Sequence, residues 1–268
     1  MIKEDLLTRV KKGIQNAGQP VELKTFLTLQ KDGWYVEPSV YYNEIDTNKK
    51  REIDLIAKKK SKDVEQTEYE NILIIECKKS AKKPWVFFKQ KSIAPFVSDL
   101  NVIRYGNCDA GFGYFDMSIS KGAHHFCKYP IHTCSLVAYS NDTDSDQNDR
   151  ESNQIFRAVE QVLSALTFFA ERAKRQIDQS DNNWSPRIEV VYPIIVFDGP
   201  LLSASITDDD IAIEETSVVH YRMYQEFLTS EPLMIEKDSC GPSANYKSYI
   251  IPIIRQDHFE EYIHSWFT

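Results

Sequence analysis

Arg51-Glu52-Ile53-Asp54-Leu55-Ile56-Ala57 and Asn71-Ile72-Leu73-Ile74-Ile75-Glu76-Cys77-Lys78 decide the reading of this chain. Both are short apolar runs enriched in β-branched and aliphatic residues, the pattern of buried strands. Each run carries acid where burial is expected: Asp54 interrupts the first and Glu76 ends the second, with twenty-one residues between them. Charged groups at the ends of neighbouring buried strands are costly unless they pair or coordinate a cation. Side chains alternate along a strand, so Glu76 and Lys78 share one face and Cys77 points to the other. A carboxylate and an ammonium are thereby set side by side.

Around these runs the chain divides into recognisable elements. Residues 2 to 17 predict an amphipathic helix with Ile2, Leu6, Leu7, Val10 and Ile14 on one stripe. A second helix is expected from Pro20 to about Gln30, with Asp32-Gly33 ending it. Tyr35 to Tyr42, Arg51 to Lys58 and Asn71 to Lys78 predict an antiparallel meander. Pro84 opens a segment with Trp85, Phe87, Phe88, Ile93 and Phe96 that reads as a helix over the sheet, and Arg104 to Gly122 has no clear period. His132 to Tyr139 predicts a strand. Ser152 to about Gln176 predicts a long helix, with Ile155, Val159, Val162, Leu163, Leu166, Phe169 and Ala173 at helical spacing. Ile188 to Phe197 predicts a strand closed by the turn Asp198-Gly199-Pro200. Ile211 to Val219 and Tyr249 to Ile254 predict further strands, and Asp257 to Phe267 a terminal helix.

The chain has 268 residues and 42% hydrophobic content, which excludes a disordered protein and is compatible with one domain spanning residues 1–268. One domain with additions is expected. The N-terminus is charged from the start and unlike a secretory signal, and no apolar run approaches the ~18 residues that span a bilayer. Five cysteines, odd in number and irregularly spaced, fit free thiols in a reducing compartment. A cytoplasmic protein is expected.

A net charge of −8 argues at first against a polyanionic partner. The distribution argues otherwise. Lys49 to Lys91 holds thirteen Lys and Arg against seven Asp and Glu, a local excess of six that leaves −14 for the remainder. Arg51, Lys58, Lys59, Lys79, Lys82 and Lys83 stand close to the two acids in sequence and are candidate phosphate contacts. Solvated strand ends and turns explain lysine runs equally well. The acidic remainder is a candidate docking surface for a protein partner.

Phosphodiester hydrolysis needs an in-line water, neutralisation of charge at phosphorus and stabilisation of the leaving oxygen. A hard divalent cation held by carboxylate oxygens supplies these, and Mg²⁺ or Mn²⁺ is implied. Asp54 and Glu76 are the candidate ligands, the backbone carbonyl of Cys77 can complete the protein share, and Lys78 can orient or help deprotonate the attacking water. At this level the chain resembles the restriction-endonuclease-like superfamily, the PD-(D/E)xK nucleases, in a bacterial form. The blocks Gln19-Pro20-Val21-Glu22, Gly33-Trp34-Tyr35-Val36, Val40-Tyr41-Tyr42, Arg51 to Ala57, and Glu76-Cys77-Lys78-Lys79 followed by Pro84-Trp85 carry the resemblance over residues 19 to 100. Beyond residue 100 it rests on element order and on Tyr192 to Gly199. Ile53 stands where the family label has Pro. The resemblance implies an α/β fold whose restriction-endonuclease-like core is a central mixed sheet with helices on both faces, here with C-terminal additions to the sheet. It also implies that Glu22, on the helix before the meander, is a further catalytic and metal-binding acid, and that the substrate is nucleic acid, DNA before RNA.

A lone D…ExK triplet arises often by chance, so the flanking blocks carry the weight. The second reading is a nuclease fold with little activity that binds nucleic acid or acts as a scaffold with a protein partner. Cys108, His124, His125, Cys127, His132 and Cys134 include zinc-capable ligands but lack the paired spacing of structural zinc sites. Asp142, Asp144 and Asp146 imitate an EF-hand loop, yet Gln147 and Asn153 stand where its Gly and Glu belong. Asp208-Asp209-Asp210 reads as a solvated turn, and Glu44 and Glu52 as surface acids.

Overall fold

The computed structural model describes residues 4–45, 47–62, 68–81, 83–89, 103–106, 131–137, 148–178, 187–207, 210–226 and 246–267. Helices α1 (Glu4–Asn16) and α2 (Gln19–Lys31) precede the meander of β1 (Tyr35–Asn43), β2 (Lys50–Lys62) and β3 (Glu68–Lys79). Then come β4 (Trp85–Lys89), β5 (Ile103–Gly106), β6 (Ile131–Val137) and the long helix α3 (Asn148–Asp178). The chain continues through β7 (Arg187–Asp198), β8 (Leu201–Ile206), β9 (Ile211–Glu215), β10 (Val218–Glu226) and β11 (Tyr246–Arg255). A 3-10 turn, Gln256–His258, leads into α4 (Phe259–Phe267).

Among the described residues the strands form one mixed sheet in the order β1-β2-β3-β7-β11-β10-β6-β4-β8-β9. The protein is therefore of the α/β class. β2 is antiparallel to both β1 and β3, as the meander predicts. β7 runs parallel to β3 along its whole length, from Glu68 opposite Arg187 to Lys79 opposite Asp198. The other edge of β7 is shared: β5 pairs with its first half, and β11 with Ile195 to Phe197.

Both faces of the sheet are apolar, so both need cover. On one face Ile155, Val159, Val162 and Leu166 of α3 pack against Ile56, Ile74, Phe87 and Ile195. On the other, Val21 and Leu29 of α2 and Phe259 and Ile263 of α4 pack against Leu55, Leu73, Ile75 and Val196. α2 buries Val21, Thr25 and Leu29 at a spacing of four, which makes a single helical stripe. The stripe of α1 behaves differently, with Leu6, Leu7, Val10 and Ile14 all exposed.

Several elements depart from the sequence reading. The helix expected from Pro84 is instead strand β4, set antiparallel to β6 and parallel to β8; residues 90–102 lie outside the described residues. Consecutive Trp85, Val86 and Phe87 are all buried, which a strand inside a two-faced sheet allows and a half-covered helix does not. Trp85 stacks on Phe197 with ring centroids 4.1 Å apart. Part of the stretch read as irregular is strand β5. The strand read from Ile211 to Val219 is two strands, broken at Thr216-Ser217, and Leu201–Ile206 adds one that the sequence reading passed over. Of the turn read at Asp208-Asp209-Asp210 only Asp210 is described, and the acidic loop Asn141 to Gln147 lies outside the described residues.

One local feature of the meander positions the chemistry. Val36 belongs to the α2 face and Tyr42 to the α3 face, although both are even positions of one strand. In β2, Ile53 lies on the α3 face and Leu55 on the α2 face. Alternation therefore changes phase between Val36 and Tyr42 and again at Asp54. Pro38 pairs with Leu55 and Val40 with Ile53, while Ser39 and Asp54 between them are unpaired in the register. Ser39 has φ 52°, left-handed backbone that a residue with a Cβ rarely adopts. Substitution there tests the kink. Ser39→Gly is expected to be neutral or to stabilise by up to about 1 kcal/mol, and Ser39→Val, whose branched side chain opposes positive φ, to destabilise by about 1–2 kcal/mol. Denaturant unfolding measures both, and a Val variant as stable as the parent would remove the left-handed requirement.

Candidate metal centre

The β2–β3 ladder ends at Leu55 opposite Ile75. One step further along each strand stand Asp54 and Glu76. Instead of a ladder bond, the Cys77 N–H donates to Asp54 Oδ2 at 2.7 Å, so a side chain takes the place of a strand carbonyl. The strands thus separate at the two acids without leaving a backbone donor orphaned.

Glu76 is 1% exposed, and its two oxygens have different surroundings. Oε1 accepts from Lys78 Nζ, in agreement with the two side chains sharing one face. Oε2 is buried with no hydrogen-bond partner among the described residues. Lys78 Nζ also donates to Gln161 Oε1 of α3 at 3.3 Å, and the Gln161 carbonyl accepts from the Tyr42 hydroxyl at 3.3 Å. α3 therefore holds the lysine from the side opposite the sheet. Glu22 sits in the first turn of α2, one residue on from buried Val21, at the flank of that helix's packed stripe.

The carboxyls influence one another. Burial pushes Glu76 up to about 8, Asp54 adds to the effect, and the Lys78 ammonium offsets it only in part. Burial also raises Asp54, against the Cys77 N–H and Lys78, which favour its charged form. Glu22 is raised by burial, then by Asp54 and Glu52, with Lys78 opposing. Burial raises the Cys77 thiol well above its ordinary range, so that side chain is an apolar contact of the α2 face. The result is three mutually interacting carboxyls around one ammonium.

Could this group hold a cation? The unpartnered Glu76 oxygen and the mutually raised carboxyls fit a hard divalent ion, with Asp54, Glu76 and the Cys77 carbonyl as the donor set. Among the described residues, no three His, Cys, Asp or Glu side chains converge closely enough to enclose one by themselves. Glu22 faces the centre electrostatically without joining such a cage.

The candidate phosphate contacts are dispersed. Lys58 pairs with Glu37 at 3.3 Å, and Lys59 with Asp32 at 3.0 Å. Four and five residues beyond Asp54, these two lie about 13 Å or more along β2. Arg51 pairs with Glu44 at 3.3 Å. Lys79 points to the opposite face from Lys78, where its ammonium donates to the Gln15 carbonyl at 2.6 Å and lies 3.4 Å from Asp198. Lys83 stays on the α3 side, near Lys78, and Lys82 lies outside the described residues. His132 is buried against Ser203, with Nε2 2.8 Å from its hydroxyl; Cys108, His124, His125, Cys127 and the Cys134 side chain lie outside the described residues. Two participants escaped the sequence reading. Glu52, expected at the surface, contributes to the raised Asp54 and Glu22, and its place two residues before Asp54 is the signal in the sequence. Gln161 was hidden inside a helix read through its apolar positions.

No protein-family model, curated protein or solved structure matches this chain.

The elevated Glu76 predicts a pH dependence. A carboxyl that titrates near 4.5 when unfolded and near 8 when folded keeps its proton only in the folded state across that interval. Its contribution to stability is therefore present at the acid end and is lost as pH rises through the folded value. The melting temperature of metal-free protein is expected to fall between pH 5 and pH 9, and Glu76→Gln to flatten that slope. Equal slopes for the two proteins in calorimetry would remove Glu76 as its source.

Proposed function

We propose that this chain is a divalent-metal-dependent nuclease that hydrolyses phosphodiester bonds, DNA before RNA, on a restriction-endonuclease-like core. The observation that carries the reading is the buried Glu76: one oxygen bonded to Lys78, the other unpartnered, beside Asp54 at the point where β2 and β3 part. A buried carboxyl with one oxygen unpartnered is unfavourable in its charged form beyond what Lys78 offsets, and a bound cation would compensate it. The element order supports the same core: α2, the meander β1-β2-β3, then α3 crossing to β7 parallel to β3.

When bound, Mg²⁺ or Mn²⁺ would neutralise charge at the phosphorus and acidify a water. Asp54 and Glu76 supply the anionic oxygens, and the carbonyl of Cys77 a neutral one. Lys78, held between Glu76 and Gln161, orients the attacking water and stabilises the charge that develops on the phosphoryl oxygens. Glu22 acts from α2 as an outer acid that holds a water or supports a second ion. The second reading, a nuclease fold with little activity that acts as a nucleic-acid or scaffold module, is favoured by the absence, among the described residues, of a cage of three ligating side chains.

One assay separates these readings: purified protein with linear, circular and single-stranded DNA and with RNA, with and without Mg²⁺ or Mn²⁺. Metal-dependent cleavage is expected, abolished by Asp54→Ala, Glu76→Ala or Lys78→Ala in proteins that remain folded. Wild-type turnover in any of the three would end that residue's assigned role, and no cleavage of any substrate would favour the scaffold reading. Glu22→Gln is expected to weaken metal affinity or activity about 10- to 100-fold with an unchanged metal-free melting temperature. An unaltered Mg²⁺ titration would leave Glu22 as a helix-start residue.

A further inference from the structure

Beyond the acids, a cleft of about 520 Å³ opens between the end of β3 and α3. Lys78, Lys79, Ser80, Lys83, Gln154, Arg157 and Gln161 line it, and among the described residues no carboxylate does. In a chain of net charge −8, a cleft whose described lining is cations, amides and one hydroxyl is a local inversion of sign. Gln154, Arg157 and Gln161 follow at spacings of three and four, so they stand in one row along α3. That row is about 10 Å long, close to the axial rise of three base steps in one strand of a duplex.

The cleft is a built feature. Gln154 Nε2 donates to the Lys79 carbonyl at 3.3 Å, and its Oε1 accepts from Trp85 Nε1 at 3.3 Å, so it fastens α3 to the ends of two strands. The Ser80 hydroxyl donates to the Lys83 carbonyl at 2.8 Å and closes the turn that carries Lys83. Lys78 can only donate, so the oxygen of Gln161 must face it, and the Gln161 amide NH₂ is directed elsewhere. Arg157 is exposed and makes no ion pair among the described residues.

We propose that this cleft is the track for the sugar-phosphate backbone of a nucleic acid strand entering the centre, with Arg157 and Lys83 on successive phosphates and the Gln161 amide on the phosphate nearest Lys78. The proposal rests on the nuclease reading and adds α3 to the binding surface. The contacts are to backbone alone, so recognition here is independent of sequence.

Binding of labelled duplex DNA, single-stranded DNA and RNA to the full chain, without divalent metal and over a KCl series, tests it. Arg157→Ala is expected to weaken binding alike for unrelated sequences and to make the log K against log [salt] slope shallower by about 0.9 on duplex or 0.7 on single strands. Arg157→Glu should lose tenfold or more, Arg157→Lys should retain most affinity, and Lys60→Glu, an exposed control on β2, should bind as the parent does. Parental binding by Arg157→Glu, no binding by the parent itself, or equal binding of polyglutamate would overturn the track. Metal-dependent cleavage by the parent together with parental binding by Arg157→Glu would leave the nuclease and remove the track. Arg157-dependent binding without cleavage in any metal would keep the track and remove the nuclease.

Discussion

The bond from the Cys77 N–H to the Asp54 carboxylate is the constraint on which the centre depends. Two antiparallel strands that separate inside an apolar sheet ordinarily leave unpaired backbone groups, each costing about 1–3 kcal/mol when buried. Here the carboxylate takes the donor, so β2 and β3 part at little cost. Their parting is what sets Asp54 beside Glu76. The same bond holds Asp54 in place, and a fixed carboxylate next to a buried one keeps the local potential negative.

That arrangement is sustained by what surrounds it. Net stability of a domain is about 5–15 kcal/mol, and a single uncompensated buried charge is a large part of that sum. Ile74, Ile195 and Val162 on one face and Leu73, Ile75 and Ile194 on the other are buried around the strands that carry the acids. Glu76 further reduces the penalty by holding its proton up to about pH 8. A cation and a proton compete for such a group, so the affinity of the proposed ion is expected to rise with pH up to that point.

Much of this was legible in the chain. Apolar runs broken by Asp54 and ended by Glu76 gave the meander, since strand periodicity and misplaced charge are local signals. α3 was legible for the same reason, with its apolar positions at helical spacing over many turns. β4 was not: Trp85-Val86-Phe87-Phe88 is too short to distinguish strand from helix by period, and its neighbours β6 and β8 lie far away in sequence. Lys58, Lys59 and Lys79 looked alike as basic residues near the acids, and only the strand direction and the face each takes separate them from Lys83. Gln161 carries no charge and breaks no pattern, so its contact with Lys78 becomes visible only when α3 is laid on the sheet.

The change of phase at Ser39 and Asp54 explains why pattern alone could not place the first acid. Strict alternation from Leu55 would put Ile53 on the α2 face, yet Ile53 packs toward α3. A sequence argument that assigns faces by parity therefore fails across Asp54, and it fails at the residue with the most chemistry. Left-handed backbone at Ser39 absorbs the change on the neighbouring strand, where no functional side chain is displaced. Strain that persists opposite a candidate ligand is stable only if the packing on both sides over-determines it. Tyr42, anchored to the Gln161 carbonyl, and Val36, packed beneath α2, hold β1 on either side of the kink. The irregular pair is thus held between two regular halves of one hairpin, and the position of Asp54 is a consequence of the whole meander.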